Sequence, residues 1–185
     1  HANGEFADIA RALVGVQHFV ELGAVAARGL DDLAVLENQA DILVGIDADG
    51  QFDPNEIPAL IAPILSREAD MVIGNRFSNG IPEHMPRIKY HGNRIVARLV
   101  NSIAELSLAD VSCGFRAYDV EALLRLNIYG EFTYTHETIL SAVYQGLKVV
   151  EHPISVRYDP KRRSRVADSV FKYGVQTSKI ILRVL

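Results

Sequence analysis

Cysteine is nearly missing from this chain. Of its 185 residues only Cys113 is a cysteine. A single thiol closes no disulfide within the chain, so the fold must be held by its core, and a reducing compartment is expected. Long apolar runs are missing too. No stretch reaches the roughly eighteen apolar residues that carry a helix across a bilayer. The opening HANGEFADIA has neither a basic start nor an apolar centre, so it does not read as a secretory signal. Internal repeats and linker-like segments are also absent, so residues 1–185 read as one domain, long enough to bury a sizeable core.

What is present suits a soluble globular protein: 49% of residues are apolar and 23% charged. The net charge of −4 conceals a gradient. Residues 1–70 hold 13 acidic and 3 basic residues, whereas residues 157–185 hold 2 acidic and 8 basic ones. An acidic half suits a cation site. A basic end suits phosphates or an anionic membrane surface, or is a solvated helix end. No nucleic-acid partner is expected.

Short apolar runs alternate with helical patterns. Residues 6–13 and 23–38 read as helices and 16–20 as a strand. ADILVGI (40–46) is apolar without alternation, as in a strand covered on both faces. Asp53-Pro54 is a helix start, with Asp as cap and Pro in the first turn. The helix after it (55–68) contains Pro58 and Pro63 and is expected to be irregular or broken. DMVIGN (70–75) is a second buried strand, 76–87 a loop and 88–106 a long helix. DVSCGFRAYD (110–119) is a loop running into a strand, with Asp119 capping a helix over 120–126. A helix over 132–146 is expected to be capped by Thr135 and closed by Gly146. KVVEHPISVRY (148–158) is a last strand near an edge, because Pro153 cannot donate to a ladder. A basic loop (159–165) and an amphipathic helix (166–185) complete the chain. That helix is expected in the core, at a subunit contact or on a membrane surface. The alternation indicates an α/β protein with a mainly parallel sheet, whose ligands sit beyond the carboxyl ends of the strands.

One such end carries DADGQFDP (47–54). Asp47 and Asp49 offer hard oxygen ligands that suit Mg²⁺ or Mn²⁺, and two carboxylates leave positions open for substrate phosphates. The same letters also make an ordinary turn with local hydrogen bonds. An EF-hand is excluded, since its twelfth position is Pro58 rather than glutamate. His84, His91, His136 and His152 are scattered and read as no metal site, and Cys113 reads as packed rather than reactive.

ADILVGIDADGQFDPNEIPALI, ADMVIGNRF, DVSCGFRAYD and FTYTHETILSAVYQGLKVVEHPISVRYD, in that order, resemble family 2 glycosyltransferases. The resemblance runs from about residue 39 to the end and points to the branch of dolichol-phosphate mannosyltransferases and bacterial polyprenyl-phosphate glycosyltransferases. It implies a GT-A, Rossmann-like fold and inverting transfer from a GDP- or UDP-sugar to a polyprenyl (dolichyl) phosphate. It implies Mn²⁺ or Mg²⁺ held by Asp47, Asp49 and Gln51, with Asp49 the principal ligand. Arg76 would lie near donor or acceptor phosphate, or else make a surface salt bridge. Asp110 and Arg116 would line the acceptor side or brace each other, and Glu137 would face the site or serve its helix end. Arg162, Arg163, Ser164 and Arg165 match a basic loop that clamps phosphates, although Arg165 stands where the family carries Lys. The implied location is cytoplasmic, at the membrane face.

The family's first strands, which hold the nucleotide base, have no counterpart in HANGEFADIARAL. Their loss would leave the edge of DILVGI open, to be covered in a homodimer or by a segment swapped between chains, unless the sequence is a fragment of a longer gene product; the homodimer is the favoured expectation. The alternative function is therefore a non-catalytic oligomeric domain on the same scaffold. A soluble transferase acting on a saccharide, with Glu137 or Asp110 as general base, is a third reading.

Overall fold

The structure, a computed structural model, describes residues 41–47, 49–126 and 134–158. Four strands form one sheet: β1 (Ile42–Gly45), β2 (Met71–Asn75), β3 (Arg116–Asp119) and β4 (Val149–Pro153). Their spatial order is β1-β3-β2-β4. β3 runs antiparallel to both β1 and β2, while β2 and β4 are parallel. β1, β2 and β4 therefore point the same way, and the reversed β3 lies between β1 and β2. The mainly parallel direction expected from the sequence holds strand by strand, yet two of the three ladders are antiparallel.

The helices are α1 (Ile57–Leu65), α2 (Arg87–Ala104), α3 (Val120–Leu124) and α4 (Tyr134–Tyr144). Ile42, Leu43 and Val44 are buried in succession, as are Met71, Val72 and Ile73. That is the pattern of strands covered on both faces. α1 packs against β1, β2 and β3 through Ile57, Leu60, Ile61 and Ile64. α2 turns Asn93, Ala97, Val100 and Ala104 inward and packs against α4.

Local signals explain most boundaries. Asp53 accepts a hydrogen bond from the Asn55 amide (3.0 Å) and opens a 3₁₀ turn, Pro54–Glu56. α1 then runs unbroken through Pro63, which corrects the expected break. The carbonyl that loses its donor to Pro63 belongs to Ala59, which is exposed, so water can serve it. Asp119 caps α3 through the Ala122 amide (3.1 Å). Thr135 does not cap α4: it lies inside the first turn. Gly146 does close that helix. Its φ of +72° lets the Gly146 amide reach Val143 O (2.9 Å) and the Leu147 amide reach Ala142 O (2.9 Å). β4 stands at one end of the described sheet, and Pro153 lies beside Asn75. Among the described residues no helix is long and apolar enough to cross a membrane. The expected elements at 6–38 and 159–185 lie outside the described residues.

Candidate functional site

Because β3 is reversed, its beginning lies beside the ends of β1 and β2. Arg116 faces Gly45 on one side and Ile73 on the other. The loops after β1, β2 and β4 and the loop before β3 therefore gather at one end of the sheet. Two polar clusters stand there.

The first is the acidic loop. Asp49 is exposed, and its Oδ1 accepts from the Gln51 amide (3.1 Å), the local turn that an Asp-x-Gln spacing allows. Gly50 at the tip has φ +73°. Asp47 is also exposed, and its carboxylate lies over Gly114. A Cβ at Gly114 would come within 2.5 Å of Asp47 Oδ2, so the missing side chain is what makes room for the carboxylate. The chain after β4 anchors the loop: Phe52 bridges Val156, and the Arg157 amide donates to Gln51 O (2.8 Å). Both carboxylate oxygens of Glu56 accept from the Ser155 amide (3.0 Å each).

The second cluster is buried. Asp110 is 0% exposed and takes a two-pronged ion pair from Arg76, Nε to Oδ2 at 2.6 Å and Nη2 to Oδ1 at 2.8 Å. Asn93 Nδ2 (2.9 Å) and the Ser112 amide (3.2 Å) also donate to Oδ1. Burial pushes the Asp110 carboxyl up, but the Arg76 guanidinium and these donors outweigh it, so it stays below the usual carboxylate range. Arg76 Nη1 donates to the Tyr158 hydroxyl (3.2 Å). Glu151 accepts from the Asp110 amide (2.6 Å) and from Asn75 Nδ2 (3.2 Å), while its own burial pushes its carboxyl up.

Ser112 extends the network. Its hydroxyl lies 3.0 Å from Asn93 Oδ1, to which it donates, and 3.1 Å from His136 Nε2. With the hydroxyl proton given to Asn93, His136 Nε2 is the donor to Ser112. Burial, helped by the Arg116 charge, lowers the His136 pKa to about 4, so the ring is neutral at pH 7.

Arg116, 1% exposed, is held entirely by its own fold. It donates to Cys113 O (2.6 Å), Thr135 O (2.7 Å), Thr138 Oγ1 (2.8 Å) and Val111 O (2.9 Å). The brace considered between Asp110 and Arg116 is thus not the one formed: Asp110 pairs with Arg76. Glu137 is buried in the first turn of α4, between the two threonines that hold Arg116. Cys113 is fully buried and its thiol is pushed up to about 12, chiefly by burial, which matches a packed, unreactive cysteine. Arg162, Arg163, Ser164 and Arg165 lie outside the described residues.

Asn93, Ser112, Glu151 and Tyr158 were not singled out in the sequence. Two left a trace. Asn93 is a polar residue on the inward stripe of an amphipathic helix, and Glu151 is a carboxylate inside an apolar strand.

Among the described residues no three His, Cys, Asp or Glu side chains gather around a common point. Asp47, Asp49 and the side-chain carbonyl of Gln51 can offer oxygen ligands, and both aspartates are exposed. Such a donor set fits a Mg²⁺ or Mn²⁺ ion whose remaining ligands come from a bound phosphate or water.

The family profile described as glycosyl transferase family 2 matches residues 32–126, more than half of the chain. The UDP-N-acetylglucosamine–dolichyl-phosphate N-acetylglucosaminyltransferase of Methanococcus voltae is 25% identical, over 93% of this chain and 70% of that protein. The undecaprenyl-phosphate mannosyltransferase of Micrococcus luteus is 30% identical, over 65% of this chain and 51% of that one. Among solved structures, glucosyl-3-phosphoglycerate synthase from Mycobacterium tuberculosis superposes with a TM-score of 0.53 at 21% identity. That match covers 79% of this chain and 49% of that one and speaks for the fold alone. The chain thus spans from about half to seven tenths of the length of these relatives.

Proposed function

From the premise that the chain belongs to glycosyl transferase family 2, we propose that it carries out sugar transfer from a nucleoside-diphosphate sugar to a polyprenyl phosphate, with inversion at the anomeric carbon. The names of the Methanococcus and Micrococcus relatives support the acceptor class. The observation that carries the reading is one shared sheet end. It holds two exposed carboxylates on one loop and an arginine, locked by a buried carboxylate, on the next.

Asp47, Asp49 and Gln51 would hold Mn²⁺ or Mg²⁺. When bound, the ion supplies positive charge against the departing diphosphate. Gly114 keeps the Asp47 carboxylate in place by leaving it room. Arg76 has two N–H bonds beyond those given to Asp110 and Tyr158, and these suit phosphate oxygens. A phosphate acceptor is already an anion at neutral pH, so the attack needs no strong base. Asp110 fits that economy: a carboxylate held ionised by three donor groups is a poor proton acceptor and acts by positioning Arg76. This weighs against a saccharide acceptor activated by Asp110. By the family resemblance, the basic residues Arg162, Arg163 and Arg165, with Ser164, would add phosphate contacts.

Titration calorimetry with GDP and UDP, with and without Mn²⁺, tests the reading. Metal-dependent binding of one nucleotide, lost in Asp49→Ala, is the expected result. A folded wild-type chain that binds neither nucleotide would overturn it.

A further inference from the structure

α2 has two lives. Its inner face delivers Asn93 to Asp110, and Tyr90 meets the ring of Phe77 edge-on at 5.2 Å, so the helix is part of the wall of the site. Its outer face is unusual for a surface helix. Ile88 is 66% exposed, Ile95 64% and Leu99 41%. Their spacing of seven and then four residues places them on one line along the helix. Arg87, Arg94 and Arg98 repeat the same spacing one residue earlier, which makes a second line about 100° round the helix. From Arg87 to Ala104 the helix contains no acidic residue, and among the described residues no ion pair involves these three arginines; Arg87 and Arg98 are exposed, while Arg94 is half-buried and its charge reaches the Glu151 carboxylate.

An apolar ridge beside an arginine row is the surface of a helix that lies in the headgroup layer of a membrane. We propose that the outer face of α2 is a docking surface for an anionic lipid bilayer, with Ile88, Ile95 and Leu99 entering the interface and Arg87, Arg94 and Arg98 meeting lipid phosphates.

Charge selects this occupant over a second copy of the chain. Two such faces brought together would crowd six arginines with no carboxylate from either helix, whereas an anionic bilayer supplies the countercharge. The apolar ridge in turn sets a lipid surface apart from a purely polyanionic partner. Docking through α2 would put the Arg76–Asp110 end of the sheet beside the bilayer. That consequence rests on the acceptor proposed above; the docking surface itself does not.

The lone native cysteine is buried, so a cysteine introduced on the surface can be labelled alone. The probe is an environment-sensitive fluorophore on Ile95→Cys, with Leu65→Cys on α1, 57% exposed and without an arginine row, as the control. Vesicles of phosphatidylcholine, with and without phosphatidylglycerol, are added to each. The expected result is a blue shift and rise in emission at position 95 with the anionic vesicles only, and little change at position 65. Replacing Arg87, Arg94 and Arg98 by glutamine should raise the lipid concentration needed for half of that change by on the order of tenfold or more. No response at position 95, an equal response at both positions, or a response unaffected by the arginine replacements would overturn the proposal. A response at position 95 to protein concentration rather than to lipid would overturn it in favour of self-association. Nucleotide titration of the same labelled chains reads the transferase site separately, so either reading can fail without the other.

Discussion

The two polar clusters at the end of the sheet have their aspartates 61 and more residues apart in the chain and are opposite in character. Asp47 and Asp49 are exposed carboxylates on a glycine turn. Asp110 is a carboxylate with no exposed surface, gripped by Arg76, Asn93 and a backbone amide. A charge kept at the surface costs little to keep and stays within reach of a ligand. A charge taken into the interior must be paired and fully hydrogen-bonded, and once that is done it is a poor ligand and a firm anchor. The same residue type thus serves recruitment in one loop and alignment in the other.

The largest expected effect breaks the anchor. Asp110→Ala strands the Arg76 cation, and unfolding by urea should show a loss of about 3–5 kcal/mol. A loss under about 1 kcal/mol would mean that the pair is not integral to the fold.

Next comes the acid response of the buried cluster. His136 ordinarily titrates near 6.5 and in the folded chain near 4. Its folded-state pKa is lowered, so its contribution is present above pH 6.5 and is lost as pH falls through 4. Stability should drop over that window by on the order of 3 kcal/mol. His136→Gln should remove that part of the slope. Asp110, also lowered, should add its own loss only below the usual carboxylate range.

A finer probe acts on the open loop. Gly114→Ala pushes against the Asp47 carboxylate, the mobile end of a side chain. Thermal unfolding should change little, whereas metal-dependent nucleotide binding should weaken by about tenfold, roughly 1.4 kcal/mol. The smallest effect is the stability of Asp49→Ala, which should stay within about 0.5 kcal/mol of the wild type while binding is lost. A large stability loss there would make Asp49 a turn residue first, and the contrast between the two clusters would fail.

How much of this was legible beforehand follows from the range of each signal. Asp53-Pro54, Asp119 and Gly146 announce their caps because a cap is a contact between residues two to five apart. The uninterrupted apolar letters of β1 and β2 announce coverage on both faces. Pro63 misled, because the sequence does not say that Ala59, whose carbonyl it robs, lies exposed where water can serve it. Thr135 misled because α4 begins one residue before it.

The sequence by itself determined the alternation of strands and helices, the acidic turn after β1 and, through the order of its four blocks, the family. Local chemistry sufficed for each, since spacing along the chain carries the information. Tertiary structure alone decided that β3 runs backwards between β1 and β2, and so brings the loops at 47–52, 75–77 and 110–115 to one end. It also decided that Arg76, not Arg116, is the partner of Asp110, 34 residues away. The physical reason is that an ion pair depends on which charges burial forces together, and burial is set by the packing of whole elements rather than by neighbours in sequence.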